Sequence, residues 1–550
     1  MAGIHGGGRR VVLTQGKDDL AGELRLRAYE RGGVQTGDEV AIDRAERGIV
    51  LPVAELFLLP DEADPVLGDD RRARIVAAIR QSELRVNELL LPTDPQADDP
   101  SDQTLADFAH ALVAANRLGG TSDIPAAYTY LGQIIAHDIS QTRISASGDG
   151  SSLLPGSLNF DSLLGAVGAA ALPWPGDALK VGTVALGQTL KAGQVLGGYD
   201  DLPRDLDGKP VIPDPRNDAI LSLAQLHVLL TKFIMAAERA LSTLDPTARR
   251  QVIVQHLQSV IYHDYLDRLL PPGLLAHIEA NGRRLIATQI RGGTSVFYAP
   301  LEFSWGCFQV AHSMIRENYA PWGRSDVARP PRSARLKTLL NFTGSGPSLP
   351  GGRLSDDWRA GWQDMLGQRG GPVPVPVPVP AMRFGAHLRR DVYRLPGRLF
   401  DVVEGQQNPD YMNLALRTMA VARHLRVPHG QALAAFATAQ GAAVPTLSPA
   451  ELADGQPAAF VRQESGRVSL AERTPLWFYS LREAEILGSG TRFGPLAGRI
   501  VGETIHAAIA TSGSGFLDPQ GRPVFSESGR LPAHQPGRFD LYDLRAIAEP

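Results

Sequence analysis

The chain has 550 residues, a length that holds roughly three or four average domains or one large domain with appendages. Its apolar share of 43%, charged share of 21% and formal net charge of −4 are ordinary for a soluble globular protein. The absence of a basic excess argues against a nucleic-acid partner. A single cysteine, Cys307, excludes an intrachain disulfide framework and a cysteine-clustered zinc site.

The N-terminal residues MAGIHGGGRR have no apolar core behind their charges, so we predict no signal peptide. The most apolar stretch, LLGAVGAAALPWPG from Leu163, is broken at Pro173 and is too short to span a bilayer. We therefore expect no membrane span and a soluble, cytoplasmic protein, with export by a route without a cleaved signal as the alternative. The sequence does not indicate an oligomeric state.

Residues 1–104 differ from the rest of the chain in their pattern of apolar and polar residues. RRVVLTQ and RGIVLPVAELFLLP predict short strands, and DDRRARIVAAIRQSELRVNELLL predicts one helix. The polar run PTDPQADDPSDQT that follows is typical of a linker. We interpret residues 1–104 as a small accessory region without a chemical motif.

From Leu105 onward the helical period dominates. These patterns predict one large, mostly α domain over residues 105–515, followed by a polar, irregular tail over residues 516–550 that wraps around the domain. The run GPVPVPVPVP at 371–380 predicts a stiff polyproline II spacer. The predicted helices are TLADFAHALVAANRL, NDAILSLAQLHVLLTKFIMAAERALSTL, PTARRQVIVQHLQSVIYHDYLDRLL, LEFSWGCFQVAHSMIREN, YMNLALRTMAVARHLRV and RFGPLAGRIVGETIHAAIATS.

Polar residues interrupt the apolar helices at two places in the first half of the domain. In GQIIAHD, Gln133 and His137 are four residues apart and share a helix face, whereas Asp138 points elsewhere. Taken alone, His137 is better read as a core histidine with a satisfied hydrogen bond. Arg216 follows Pro215 at the start of a long apolar helix, where a cation opposes the helix dipole unless it serves another group. The alternative reading of Arg216 is an exposed loop cation.

A third polar residue, His312, lies on an apolar helix with Phe308 four residues before it and Ile315 three residues after it. It should face the core, where an unsatisfied polar group is costly. The two readings of His312 are a metal or cofactor ligand and a histidine bonded to a neighbouring carbonyl group. The chain lacks the HExxH, P-loop, GxSxG and EF-hand patterns.

Five stretches in the same order resemble the animal-type haem peroxidase superfamily (peroxidase–cyclooxygenase superfamily), bacterial branch, over roughly residues 105–515. The first is similar to the family's distal-histidine helix, the second to the segment with its catalytic arginine, and the third to its proximal-histidine helix. The last two resemble C-terminal family stretches. In chain order they are IPAAYTYLGQIIAHDIS, DLPRDLDGKPVIPDPRNDAILSLAQLH, EFSWGCFQVAHSMIRENY, NLALRTMAVARHLRVPHG and TPLWFYSLREAEILGSGTRFGPLAGRIV.

The resemblance implies a role for each of the singled-out residues. His137 would take a proton from hydrogen peroxide and pass it to the leaving oxygen, which is general acid–base work. Arg216 would stabilise the negative charge that develops as the O–O bond breaks. Gln133 would hydrogen-bond water or an anion on the same side of the haem. His312 would be the axial ligand of the haem iron on the opposite face.

The chain departs from the family at the positions that modify or hold the haem. Ala136 and Ala219 replace the acidic residues that form ester bonds to haem in many members, so the resemblance implies one non-covalently bound haem b. Thr418 stands where the family has an asparagine that orients the axial histidine, and would accept the imidazole N–H more weakly. Val421 and Gln309 replace two arginines near the haem propionates.

Family members often bind calcium with the aspartate next to the distal histidine, here Asp138, and a short loop. The loop resembles PGSLNFDSLLG, in which Ser157, Asn159 and Asp161 fall near ligand positions. Asn159 in place of an aspartate and Pro155 at a usual threonine position both weaken a site that needs several oxygen ligands with negative charge. Calcium is therefore a possible second cofactor.

The function implied is that of an enzyme, a haem peroxidase that reduces hydrogen peroxide, oxidises small anions or aromatic reductants and serves the response to oxidative stress. One alternative is a haem-binding or scaffold protein of the same fold whose catalysis has decayed, in keeping with Thr418 and Val421. The other is a fatty-acid oxygenase that uses a tyrosyl radical. Related fatty-acid oxygenases place that tyrosine three residues before the axial histidine, so the glutamine at position 309 disfavours this alternative.

Overall fold

The structure is a computed structural model whose described residues follow the predicted helical domain closely. For residues 10–15, 24–29, 40–42, 142–144, 150–152, 182–183, 199, 289–291 and 294–296 only the backbone is described. The predicted strand at 47–60, most of the predicted helix at 69–91 and most of the proline–valine repeat lie outside the described residues. The described residues are 10–15, 24–29, 40–42, 89–91, 93, 96–115, 119–140, 142–144, 150–152, 156–165, 182–183, 199–204, 208–291, 294–297, 299–324, 333–344, 346, 354–369, 379–386, 388, 390–393, 412–525 and 531–549.

Helices dominate the described part of the chain and form its core. Several begin where the sequence offers a cap: Asp245 accepts hydrogen bonds from the first backbone N–H groups of a helix that starts at Pro246, and Asn413 does the same for a later one. The α-helices are α1 Asp102–Ala115, α2 Ala127–Ile139, α3 Asp161–Leu164, α4 Leu221–Ala240, α5 Pro246–Val260, α6 Asp267–Leu269, α7 Leu274–Asn281, α8 Leu336–Asn341, α9 Trp362–Met365, α10 Arg390–Tyr393, α11 Leu414–His424, α12 Gly430–Ala439, α13 Pro449–Ala453, α14 Leu476–Ile486, α15 Pro495–Ala510 and α16 Leu541–Ala548.

The strands of the described residues are short and antiparallel. The N-terminal strands form a three-stranded sheet in the order β1-β2-β3, in which Arg10 pairs with Tyr29. The other strands form two-stranded pairs, of which β4–β13 contacts α2. The strands are β1 Arg10–Gln15, β2 Leu24–Tyr29, β3 Val40–Ile42, β4 Thr121–Pro125, β5 Thr142–Ile144, β6 Gly150–Ser152, β7 Gly182–Thr183, β8 Tyr199–Asp201, β9 Gln289–Arg291, β10 Thr294–Val296, β11 Asn318–Tyr319, β12 Ala334–Arg335 and β13 Pro380–Met382.

The helix predicted around His312 is present but irregular. Residues Phe303–Cys307 form a wide π turn, and Phe308–Met314 continue as a tight 3₁₀ segment. A Cβ added at Gly306 would come within 2.5 Å of the Leu476 side chain, so the wide turn approaches α14 more closely than another residue would allow. We call Phe303–Met314 the proximal segment.

The long apolar helix α4 is largely buried inside the protein. Within the described residues it is the one helix long and apolar enough to cross a membrane, but 78% of its apolar window is buried inside the protein. It packs against α2 on one side and against the C-terminal helix α16 on another. Burial on this scale, at about 25 cal/mol per Å² of apolar surface, is what holds a helical domain together.

Both ends of the predicted domain continue into segments that pack on it. In the predicted linker, Asp98 and Asp99 form ion pairs with Arg473. In the predicted tail, α16 begins with a capping box between Asp540 and Asp543 and buries apolar side chains in the core. The boundaries at residues 104 and 515 therefore remain predictions from composition.

Close packing at the start of α12 gives a test of the core. A Cβ added at Gly430 would overlap the Cβ and Cγ atoms of Tyr479, near the rigid base of that side chain. We expect Gly430→Ala to lower the free energy of unfolding by about 1–3 kcal/mol, the usual range for overpacking. The control is Gly120→Ala, where the nearest atom is 3.7 Å away and the change should stay within about 0.5 kcal/mol. Equal denaturation midpoints for the two variants would contradict the packing described here.

Candidate functional site

A cleft separates one face of α2 from the proximal segment. The residues of α2 that line it, together with Ser140 just after the helix, recur at helical spacing and so form a single stripe. The cleft has a volume of about 40 Å³, room for on the order of three water molecules. Its lining residues are Thr129, Gly132, Gln133, Ala136, Ser140, Ser304, Phe308, Gln309, Ala311, His312 and Ile315.

His312 stands on the wall of the cleft opposite Gln133 and Ala136. The residue is 9% exposed, and burial lowers the pKa of its imidazole to about 4 despite a hydrogen bond with the backbone of Gln309. His312 is therefore neutral near pH 7, which is the form in which imidazole ligates a metal. The predicted facing of His312 into an apolar interior is what the structure shows.

Thr418 reaches the proximal segment by way of Gln309. Its hydroxyl group donates a hydrogen bond to Oε1 of Gln309 at 3.2 Å, and Nε2 of Gln309 donates to the carbonyl oxygen of Ser304 at 2.9 Å. Thr418 is thus connected to the residue three positions before His312 rather than to the His312 ring. Val421, one turn further along α11, lies in an apolar cluster with Trp305.

His137 directly follows Ala136 on α2 and is fully buried. Its Nδ1 is 2.7 Å from Oδ1 of Asn217. Burial and the charge of Arg216 lower the pKa of His137 to about 4, so the ring is neutral near pH 7. Gln133 and His137 are four residues apart on α2, but Gln133 lines the cleft whereas the His137 ring contacts Asn217.

Arg216 serves the C-terminal end of α2. It lies in a 3₁₀ turn, Pro215–Asp218, and its guanidinium group donates to the backbone carbonyl oxygens of His137 and Ser140. It also pairs with Asp214, and although burial raises the pKa of that carboxyl group, Arg216 holds it below its usual value. This explains a cation before an apolar helix, because the positive charge stabilises the negative end of a neighbouring helix.

Asp138 holds the loop that precedes α3. Its two oxygens accept hydrogen bonds from the backbone N–H groups of Phe160 at 2.7 Å and Ser162 at 2.9 Å. Burial and the nearby charge of Asp161 raise the pKa of Asp138 to about 7. Asp161 itself is 3.0 Å from the guanidinium group of Arg250.

The calcium ligands implied by the resemblance are close in space but directed at other partners. Asn159 donates from Nδ2 to the hydroxyl oxygen of Ser157 at 3.1 Å, the oxygens of Asp138 face amide donors, and Asp161 faces Arg250. A calcium ion needs several oxygens that converge on one point, and the guanidinium charge of Arg250 would repel it. The arrangement does not fit calcium.

Sequence reasoning missed the residues that connect these groups. Asn217 is completely buried and contacts His137, Ser162 and His227 at once. Its signal in the sequence was weak, since an asparagine beside Arg216 is equally typical of a turn. His227 carried a clearer signal, as a lone polar ring in the apolar pattern of α4.

Two other features of the described residues carry less chemistry. A cleft of about 400 Å³ beside α11 is lined by three arginines, but Arg473 and Arg423 are neutralised by ion pairs with aspartates. One group of potential metal ligands comprises His534, Asp540 and Asp543. Both carboxylates of this group form ion pairs with Arg369.

No protein-family model and no curated protein matches the sequence, whereas solved structures do match the fold. Fatty acid alpha-dioxygenase from Oryza sativa aligns with a TM-score of 0.50 and 13% identity over 85% of this chain and 80% of that one. A variant of that enzyme with palmitic acid aligns with 0.51 and 12%, over 84% and 78%. Peroxidase A from Dictyostelium discoideum aligns with 0.52 and 12%, over 80% and 89%.

These proteins are members of the peroxidase–cyclooxygenase superfamily. At such low identity the likeness concerns the fold, and it confirms the predicted fold class. The chain has the mostly α fold of helical haem peroxidases.

Proposed function

We propose that the protein binds one haem b non-covalently in the cleft between α2 and the proximal segment, with His312 as the axial ligand, and that it reduces hydrogen peroxide. The observation that carries the proposal is the position of His312: a buried, neutral imidazole on one wall of a cleft whose other wall presents Gln133 and Ala136. Small anions or aromatic reductants would be oxidised in turn. The shared fold with a peroxidase supports this reading.

The residues that line the cleft suit a haem, but the cleft in its present conformation is too small to hold one. A neutral imidazole and mainly apolar walls around Phe308, Ala311 and Ile315 suit a flat, apolar macrocycle. Sites for molecules of drug size have volumes of about 300–1,000 Å³, far more than the 40 Å³ of this cleft. We therefore propose that α2 and the proximal segment separate when haem enters.

Bound haem would supply the redox chemistry with the peroxide. His137, a neutral imidazole one turn after Gln133, would accept a proton from hydrogen peroxide and return it to the leaving oxygen. Arg216, whose guanidinium group lies beside the His137 and Ser140 carbonyl oxygens, would stabilise developing negative charge. Gln133 would hold water or an anion in the cleft. Calcium has no part in this proposal because the donors around Asp138 do not fit it.

One observation favours a second candidate, a haem-binding protein without fast peroxide chemistry. The guanidinium group of Arg216 is already engaged by Asp214 and by two backbone carbonyl oxygens of the α2 end. A cation in that position stabilises the fold whether or not it acts on peroxide. A haem-loaded wild-type protein that reacts only slowly with hydrogen peroxide would identify this second function.

Fatty-acid oxygenation, suggested by the names of two structural neighbours, is not favoured by this cleft. Gln309 occupies the wall of the cleft at the position where a radical tyrosine is expected, and its amide group is hydrogen-bonded to Ser304 and Thr418. An amide group does not form the radical that such chemistry requires. The bacterial origin, the cytoplasmic location and the role in oxidative stress remain predictions from the sequence.

Replacing the proposed axial ligand tests the site. We expect His312→Ala to abolish or grossly shift the haem absorption band of protein titrated with haem, because the iron loses its imidazole ligand. His424→Ala, at the half-buried end of α11, is the control and should leave the band unchanged. An unaltered spectrum in His312→Ala would refute the assignment.

The mode of attachment is a second test. Ala136 and Ala219 cannot form ester bonds, and the single cysteine Cys307 cannot provide two thioether links, so acidified organic solvent should remove all haem from the chain. The measurement is the absorbance of the aqueous and organic phases after extraction of denatured protein. Haem that stays on the polypeptide would overturn the proposed non-covalent binding.

The third test concerns His137 and Arg216. We expect His137→Ala and Arg216→Ala each to slow the reaction with hydrogen peroxide by about 100-fold or more in stopped-flow absorbance, since general acid–base catalysis contributes about 10²–10⁴-fold and a charge-stabilising donor about 10²–10³-fold. The double variant should lose less than the product of the single losses, because both act on one step.

A buried arginine away from the cleft controls for this experiment. Arg499 is paired with Glu503 on α15, and Arg499→Lys should react with peroxide at the wild-type rate. If folded, haem-loaded His137→Ala and Arg216→Ala also react at that rate, neither residue acts on peroxide and the proposed peroxidase mechanism is wrong.

A further inference from the structure

We propose that Asn217 is a positioning residue that fixes the tautomer and the ring orientation of His137. The same amide group fixes the tautomer of His227. The functional side of this inference rests on the proposed function, because His137 acts on peroxide only when haem is bound. The hydrogen-bonding side concerns the protein alone and is testable without haem.

The orientation of the Asn217 amide group follows from one contact. Nδ2 of Asn217 is 3.1 Å from the backbone carbonyl oxygen of Ser162. A carbonyl oxygen only accepts hydrogen bonds, so the amide atom that faces it must be the nitrogen. The other amide atom, Oδ1, is then the one that lies 2.7 Å from Nδ1 of His137.

The tautomer of His137 follows from that orientation. An amide oxygen only accepts, so Nδ1 of His137 must donate and must carry the hydrogen. In a neutral ring the proton on Nδ1 leaves the lone pair on Nε2. Nε2 is therefore the nitrogen with which His137 would accept a proton from a substrate.

The second N–H of Asn217 extends the same logic to α4. Nδ2 is 3.2 Å from Nδ1 of His227, so Nδ1 of His227 accepts and its proton lies on Nε2. Both N–H groups and the oxygen of Asn217 are thereby used. A flipped amide group would place oxygen against the Ser162 oxygen and N–H against the N–H of His137, so one orientation is strongly preferred.

The surroundings keep both rings neutral. His137 is faced by the Arg216 cation, the Asp214 carboxylate and the Asn217 amide group, and burial dominates its pKa, which is about 4. His227 is fully buried and has a pKa of about 4 for the same reason, opposed by the charge of Asp214. A neutral amide group fits between two neutral rings, whereas a carboxylate would favour their charged forms.

The test uses two matched exchanges of an amide group for a carboxyl group. Asn217→Asp places a carboxylate against His137 and His227. Gln225→Glu, on α4, changes an equally buried amide group that bonds the backbone of Asp200 and Ala360 instead. The probe is haem-free full-length protein with ¹⁵N-labelled histidine, and ring ¹H–¹⁵N correlations report the tautomer and the titration of each ring, assigned with His137→Gln and His227→Gln.

We expect wild-type His137 as the Nδ1–H tautomer and His227 as the Nε2–H tautomer, with both rings neutral at pH 7. Asn217→Asp should raise the pKa of His137 by at least about one unit, whereas Gln225→Glu should leave it unchanged. Asn217→Ala should release His137 to a mixture of tautomers. In haem-loaded protein Asn217→Ala should react with peroxide roughly 10- to 100-fold more slowly, as for lost orienting partners elsewhere.

An Nε2–H tautomer of His137 in the wild type would overturn the inference, and this result needs no folded variant. An unchanged His137 titration in folded Asn217→Asp would also overturn it. If the tautomers are as expected but wild-type protein neither binds haem nor reacts with peroxide, the proposed function fails and the positioning role of Asn217 stands.

Discussion

Burial of α2 is the constraint on which the site depends. Every residue of this helix except Gln133 is buried, so each polar group it carries needs a partner inside the protein. The partners come from separate parts of the chain: Asn217 for the His137 ring, the loop before α3 for Asp138, and Arg216 for the last carbonyl groups. Because each partner fits one side of the helix, together they fix its rotation.

That rotation decides what the cleft contains. It turns Gln133 and Ala136 toward His312 and places His137 at the edge, in contact with the turn that carries Arg216 and Asn217. The charges nearby are balanced, since Arg216 is paired with Asp214. A buried pair of this kind is costly to break, by about 3–5 kcal/mol when one partner is lost. Arg216 therefore serves the structure and the proposed chemistry together, and its stability and kinetic effects need separate measurement.

The helices of the core could be predicted because apolar residues recur at helical spacing over long stretches, as in α1, α4, α5 and α15. The inward facing of His312 followed from Phe308 and Ile315 in the same way. The change from π to 3₁₀ geometry in the proximal segment could not, since periodicity reports which residues are apolar and not how their backbone groups bond. The resemblance named the residues of the site but gave no distances between them.

What the sequence could not show depends on contacts between distant residues. His137 and Asn217 are 80 positions apart, and Asp98 and Arg473 are 375 apart. The polar composition of 96–104 predicts a linker, yet its Asp98 and Asp99 pair with Arg473 of the domain. The segment at 531–549 is part of the predicted wrapping tail, and its few apolar residues enter the core. Polar composition predicts a solvated segment only when the folded domain offers no oppositely charged residues to bind it.

The central claim is that the cleft holds a reactive haem. The most direct measurement is the absorption spectrum of the purified protein, loaded with haem and freed of excess by gel filtration, before and after hydrogen peroxide is added. We expect one haem band per chain that shifts on addition of peroxide and returns when a small reductant is supplied. A protein that retains no haem, or a haem band that peroxide leaves unchanged, would contradict it.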